Sequence, residues 1–197
     1  MSARVDTLVA GLTLDEKLLL LAGDDLWSTV PVPRLGIPKV KVTDGPSGAR
    51  GAAIPGAGEA SSLNTPSATA LGATWDPALV EEVGRAIGED ARTKHCRVLL
   101  APTVNLHRSP LGGRNFECYS EEPLLSGKLA AAFVRGVQSQ GLATTVKHFV
   151  GNESETDRAT ASSVIDERTL REVYLLPFEL AVDRKSTRLN SSHVALS

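Results

Sequence analysis

The chain has 197 residues, of which 42% are apolar, 22% charged and 4% aromatic. That composition is ordinary for a soluble globular protein and excludes collagen-like, low-complexity and disulfide-scaffold classes. A net charge of −2 leaves no electrostatic footprint for nucleic acid, and no apolar run reaches the ~18 residues of a membrane span. The start, MSARVDTLVAGLTLDEK, lacks the apolar core of an export signal, so the expectation is a cytoplasmic protein with neither nucleic acid nor membrane as partner.

The first helix is signalled by Thr13-Leu-Asp-Glu16, a capping-box pattern ahead of the apolar run Leu18–Leu21, and Gly23 ends it. A loop with three prolines follows. Val40 and Val42 alternate with lysines in a short strand that ends at Asp44, and Gly45-Pro-Ser-Gly48 turns sharply. Residues 51–67 are rich in Gly, Ala and Ser and read as a surface loop. Asp76-Pro77 opens a helix reaching about His95, with Asp as N-cap and Pro at the first helical position. Arg97–Pro102 fits a buried strand and leads into a long loop, Thr103 to Glu122.

Pro123 starts a helix that continues to Gln140, with Gly141 as its cap. Leu142–Val146 reads as another buried strand, ending at Lys147-His148. After the polar loop Gly151–Ser163, a helix begins near Asp166, and Pro177 kinks or stops it. Helices and strands alternate along the whole chain, which predicts an α/β fold with parallel strands. Cys96 and Cys118 are too few for a disulfide framework and lack a metal spacing. They read as small buried apolar side chains.

Functional groups of parallel α/β folds gather just past the C-terminal ends of strands. Asp44 follows the first strand, the loop with Arg114 and Glu117 follows the second, and Lys147-His148 follow the third. All three fall on one rim of a barrel. Asp44, in T-D-G-P-S-G-A-R, either accepts hydrogen bonds from neighbouring sugar hydroxyls, with Arg50 to hold it, or caps its own turn. Gly112-Gly-Arg114-Asn-Phe-Glu117 either brings an Arg fork to a ligand or makes a structural Arg–Glu pair. Asp44 and Glu117 are the pair these residues alone would nominate for acid–base work.

Lys147 and His148 either donate to a ligand or serve as a snorkelling lysine and a core histidine. A Schiff-base role for Lys147 is a sharper alternative. In Asn152–Arg158, Arg158 stands beside Asp157, and Glu153 reads as solvated. His95, His107 and His148 lack the helical spacing of a metal site, and no nucleotide or nucleophile-elbow motif is present. No metal and no cofactor are expected.

Four strings, V-T-D-G-P-S-G-A-R, P-T-V-N-L-H-R-S-P-L-G-G-R-N-F-E-C-Y-S-E-E-P, T-V-K-H-F-V-G-N-E-S-E-T-D-R and D-E-R-T-L-R-E-V-Y-L-L-P-F-E, together resemble the N-terminal barrel domain of family 3 glycoside hydrolases. They are most similar to its β-glucosidases. The likeness runs over roughly residues 8–183 and implies an incomplete TIM-type (β/α)8 barrel, since a complete one takes ~250 residues. It implies a retaining exo-hydrolase that removes a terminal non-reducing sugar from a small β-glycoside or oligosaccharide. Asp44 matches the carboxylate that hydrogen-bonds sugar hydroxyls. Arg50, Arg114, Lys147, His148 and Arg158 match its supporting donors, and Glu117 becomes structural.

The loop after His148 lacks the histidine of the β-N-acetylglucosaminidase branch, which sets that branch aside. A β-xylosidase, an α-L-arabinofuranosidase and a non-catalytic sugar-binding fragment remain as alternatives. The family's nucleophile, in an S-D-W motif, and its general acid match no residue here, so the chain alone is expected to be inactive. Residues 1–183 carry 18 basic and 23 acidic side chains, whereas Arg184, Lys185 and Arg188 stand in a stretch with no acid. After Asp183 the chain also departs from the family's pattern and resembles a contaminating translation, so residues 184–197 are read as an unrelated, disordered tail, a sequence artefact joined to a partial barrel at 1–183, with a natural disordered tail as the alternative.

Overall fold

The computed structural model describes residues 3–51 and 61–183. The chain divides into two units, Met1–Val42 and Thr43–Ser197. The expectation for the tail at 184–197 lies outside the described residues.

The first unit begins with α1 (Ala3–Gly11) and α2 (Leu14–Ala22). The sequence reading had no separate α1. The capping box at α2 forms as expected: the Glu16 amide donates to Thr13 Oγ1 at 3.2 Å, and the Thr13 amide donates to Glu16 Oε2 at 2.8 Å. The Arg34 guanidinium also binds Glu16. Together with the Thr13 amide it lowers that carboxyl to about 2. Gly23 closes α2 with its amide on Leu19 O. Lys39 then pairs with Asp24 and Asp25.

The second unit carries the sheet. β1 (Val42–Asp44), β2 (Val98–Leu100) and β3 (Ala143–Thr144) lie in the order β1-β2-β3. β2 and β3 run parallel, with Val98 opposite Ala143 and Leu99 opposite Thr144. β3 is shorter than the apolar run that announced it. The two chains nevertheless stay side by side beyond it: the Lys147 amide donates to Pro102 O at 3.0 Å and the Val104 amide to Lys147 O at 2.7 Å. That extension carries Lys147 and His148 past the strand end in fixed register.

Three of the expected helices pack around the sheet, joined by one that was not expected. α3 (Ala68–Gly72), capped by Ser67, stands within the span read as a loop. Five residues are too few for a periodic signal. α4 (Pro77–Thr93) starts at its expected N-cap, where Asp76 Oδ1 accepts from the Ala78 and Leu79 amides. α5 (Pro123–Gln138) is buried along most of its length, through Leu129, Ala130, Ala132, Phe133, Val134 and Val137. α4 and α5 approach closely because Gly136 has no side chain. A Cβ there would stand 2.1 Å from Glu81 O. Arg135 bridges to Glu81 beside that contact.

The last helical run starts where expected and adds a π-turn. Asp166 caps α6 (Glu167–Thr169), a π-turn follows over Leu170–Tyr174, and after a bend at Leu175 a new helix, α7, spans Leu176–Asp183. The helix that Asp166 opens thus breaks at Leu175, just ahead of Pro177. The proline sits in the first turn of α7, where a missing N–H leaves no intrahelical bond unmade. Phe178 of α7 meets Phe149 edge-to-face at 5.1 Å, which ties this run to the core beneath the loop after β3. Both cysteines are buried and neither forms a disulfide, as the sequence reading holds. Among the described residues no helix is long and apolar enough to cross a membrane.

Candidate functional site

The turn after β1 sets the first wall of the site. Gly45 has φ +133°, and a Cβ there would lie 1.8 Å from Gly48 O, so the turn closes only with glycine. Its consequence is a tight Gly45–Gly48 hairpin, bonded amide to carbonyl at 3.2 Å, with Asp44 at its base. Lys94 fastens the following stretch from below. Its Nζ donates to Ala49 O at 2.6 Å, Ser62 Oγ at 2.9 Å and Asp90 Oδ2 at 2.6 Å. A cleft of about 390 Å3 opens above the turn, with Asp44, Arg50, Phe116 and Glu117 among its lining residues.

Lys147 closes on this wall from the far side of the sheet. Its Nζ donates to Asp44 Oδ1 at 2.6 Å. The lysine side chain is 12% exposed and the aspartate 31%, so the pair is sheltered while Asp44 still faces the cleft. Sequence reasoning had offered Arg50 to hold Asp44. Lys147 is seen to do so, while Arg50 gives its backbone amide to Asp44 O at 2.9 Å and lines the same cleft. With Nζ engaged on a carboxylate, Lys147 is not the unencumbered amine of the Schiff-base alternative.

The second wall is the loop after β2. His107 Nε2 bonds Asn115 O at 2.8 Å and Cys118 O at 2.9 Å, and Thr69 Oγ1 bonds the same two carbonyls. This anchors the short 3-10 turn Asn115–Glu117. From it Glu117 takes a two-pronged contact from Arg114, with Nε and Nη2 each 2.9 Å from a carboxylate oxygen. The pair fixes the guanidinium plane. Arg114 Nη2 also donates to His148 Nε2 at 3.1 Å, and Nη1 lies 3.5 Å from Glu155 Oε1.

His148 is anchored from behind. Its backbone amide and Nδ1 lie 2.8 and 3.0 Å from Asn105 Oδ1. Asn105 Nδ2 in turn reaches His148 O and Glu153 Oε1, each at 3.3 Å. Burial first, and then the charges of Arg114 and Lys147, push the His148 imidazole down to about 4; Glu117 and Asp44 oppose the shift. Burial raises the Glu153 carboxyl, against the bonds it accepts from Asn105 and the Leu106 amide. Glu153 is thus half-buried rather than solvated.

Arg158 joins only at the margin. It is 57% exposed and donates to Glu155 Oε2 at 2.9 Å, so it reaches Arg114 through Glu155. The sequence-predicted residues therefore form two linked groups. Asp44 and Arg50 line the cleft, with Lys147 bound to Asp44, while Arg114, His148 and Arg158 join it through Glu117 and Glu155. Sequence reasoning missed Asn105 as a partner of His148 and Glu155 as the bridge between two arginines. The signal for Asn105 was a lone amide in the apolar run Val104–Leu106; Glu155 had none. Among the described residues no cluster of His, Cys, Asp and Glu forms a metal site.

Comparison with known proteins agrees with this architecture. The model for the glycosyl hydrolase family 3 N-terminal domain matches residues 26–197. A beta-glucosidase of Rhizobium radiobacter is 56% identical over 184 residues, covering 93% of this chain and 22% of its own length. Beta-glucosidase B of Emericella nidulans is 49% identical, covering 91% of this chain and 21% of its own. Beta-glucosidase 3B of Thermotoga neapolitana, solved with α-D-glucose, superposes with a TM-score of 0.85 at 42% identity, over 92% of this chain and 28% of that one. The Kluyveromyces marxianus beta-glucosidase, solved with glucose, gives 0.87 at 44% identity, over 91% and 22%. The chain thus spans between about a fifth and just over a quarter of these relatives. Its parallel α/β frame and its sequence agree that the chain belongs to glycosyl hydrolase family 3, within the N-terminal domain.

Proposed function

We propose that this chain is part of a retaining β-glucosidase-type exo-hydrolase and holds the terminal non-reducing sugar of a small β-glycoside or oligosaccharide. The observation that carries the reading is the Lys147–Asp44 contact at the cleft. An ammonium and a carboxylate side by side offer donors and acceptors at the spacing of neighbouring sugar hydroxyls. Arg50 adds donors on the same wall. Arg114, oriented by Glu117 and His148, adds a planar fork, and Arg158 supports it through Glu155. Relatives named beta-glucosidases, two of them solved with glucose, favour a glucoside over a xyloside or an arabinofuranoside.

Retaining hydrolysis needs two carboxyl groups about 5–5.5 Å apart, one attacking the anomeric carbon and one protonating the leaving oxygen. Asp44 and Glu117, the cleft carboxylates described here, are each committed to a cation. We therefore assign them to positioning and place the nucleophile and acid outside the described residues. No cofactor enters this chemistry.

The test has two arms. The 197-residue chain is titrated with D-glucose by NMR. The protein encoded by the intact gene is assayed on aryl β-glucoside, β-xyloside and α-L-arabinofuranoside. Expected are saturable glucose binding by the chain without turnover, and a preference of the gene product for the glucoside. Asp44→Ala should weaken binding about a hundred-fold or more, the loss of two hydrogen bonds to a charged group. Binding untouched by Asp44→Ala, or hydrolysis by the chain alone, would overturn the assignment.

A further inference from the structure

His148 is flanked by two groups that leave it one protonation state. Asn105 Oδ1 lies 2.8 Å from the His148 backbone amide. An amide N–H only donates, so the atom facing it must be the carboxamide oxygen. This settles which way the Asn105 side chain points. The same oxygen lies 3.0 Å from Nδ1, so Nδ1 carries the hydrogen. On the opposite edge of the ring, Nε2 lies 3.1 Å from Arg114 Nη2. A guanidinium also only donates, so Nε2 is bare and accepts. Both edges demand the same neutral tautomer.

Glu153 completes the arrangement. Its Oε1 is 3.3 Å from Asn105 Nδ2 and 3.4 Å from the Leu106 amide, which draws the carboxamide nitrogen away from the ring. One chain of donors and acceptors then runs from Glu153 through Asn105 and His148 to Arg114. Arg114 ends on Glu117, which lines the cleft.

We propose that Asn105 and Glu153 are positioning residues of the sugar site, fixing His148 as its Nδ1–H tautomer so that Nε2 holds the Arg114 fork in place. The inference deepens the sugar-binding reading and rests on it. It makes His148 an acceptor for Arg114, with its one ring N–H already given to Asn105. Loss of Asn105 frees the ring to take the alternative tautomer, whose Nε2–H would point at a guanidinium. Arg114 would then be turned away from its present plane.

The experiment uses the full chain labelled with 15N-histidine, in which long-range proton–nitrogen spectra separate protonated from bare ring nitrogens. The chain has four histidines, and the signals lost in His148→Gln identify the relevant ring. The wild type should show a protonated Nδ1 and a bare Nε2 from pH 5.5 to 8. Asn105→Leu, close in size, should move the hydrogen to Nε2 and weaken D-glucose binding at least ten-fold. Asn105→Asp alone sets two carboxylates against each other. The double change Asn105→Asp with Glu153→Gln restores a donor facing an acceptor, and should recover both the Nδ1–H signal and affinity to within about three-fold.

A protonated Nε2 in the wild type overturns the proposal. So does an unchanged tautomer in Asn105→Leu, or equal loss of affinity in the double variant and in Asn105→Leu. If the wild-type chain shows the Nδ1–H ring yet binds no glucose, the sugar reading fails, and with it the positioning role for sugar. The tautomer arm separates that failure from a wrong assignment of the ring.

Discussion

Lys147 Nζ and Asp44 Oδ1 meet at 2.6 Å across 103 positions of sequence. The contact joins the ends of β1 and β3, the two outer strands of the sheet. It neutralises two side chains that are mostly withdrawn from water and holds Asp44 at the cleft. Removing one partner strands the other in a sheltered place. Lys147→Met and Asp44→Asn should each lower the chain's unfolding free energy by about 1.5–3 kcal/mol, the worth of a hydrogen bond to a charged group. The double variant should lose less than the sum of the two. Urea titrations of the three variants measure this. Additive losses would mean that the pair is not coupled.

The turn beside Asp44 makes a second expectation. In Gly45→Ala the new methyl would overlap Gly48 O, with Cβ at 1.8 Å, in a backbone of φ +133°. The turn has to open, at a cost of at least about 1–3 kcal/mol. Asp44 loses its place as the turn moves, so glucose affinity should fall together with the thermal midpoint. A variant with wild-type stability and affinity would show that the turn does not depend on this glycine.

The cysteines offer a chemical check on packing. Cys96 is 1% and Cys118 5% exposed. Burial, aided by Glu117 and Glu153, pushes the Cys118 thiol up to about 12. The thiolate is the reactive form, so the folded chain should resist iodoacetamide at pH 8 and take up two equivalents only when unfolded. Mass spectrometry at increasing urea reads the result. Rapid labelling of the native chain would contradict the core described here.

His148 and Glu153 predict opposite responses to pH. The unfolded chain takes a proton on His148 near 6.5, the folded chain only near 4. Protons therefore favour unfolding between those values. The stability linked to His148 is complete above about pH 6.5 and is lost as pH falls toward 4. Glu153 is raised from 4.5 by burial; its contribution is present below that value and is lost as pH rises through the folded one. His148→Gln removes the first effect and leaves the second. The drop in denaturation midpoint between pH 7 and pH 5 should therefore be smaller in His148→Gln than in the wild type.

Much of the frame was legible in the sequence because its signals are local. The Thr13–Glu16 capping box, Asp76-Pro77 and the glycines around Asp44 act within a turn of chain, and each forms as read. The alternation of helix and strand gave the parallel α/β class for the same reason. α1 and α3 were missed because α1 joins α2 across a two-residue gap and α3 is only five residues long. The break at Leu175, ahead of Pro177, follows from the proline, which fits only the first turn of a helix, whereas the π-turn at Leu170–Tyr174 has no local signal in the sequence.

The site divides along the same line. The sequence by itself determined that Asp44, Arg114, Lys147 and His148 stand just past strand ends, since strand order and loop position are properties of a linear pattern. Only the tertiary structure decided which of them touch. Lys147 reaches Asp44 because parallel pairing of β2 and β3 continues to the Thr103–Lys147 bridge and sets the lysine's height above the sheet. Asn105 governs His148, and Glu155 links Arg114 to Arg158, through contacts between loops 43 and 41 positions apart. A hydrogen bond depends on distance and angle to within tenths of an ångström, and such distances exist only once the strands have been laid side by side.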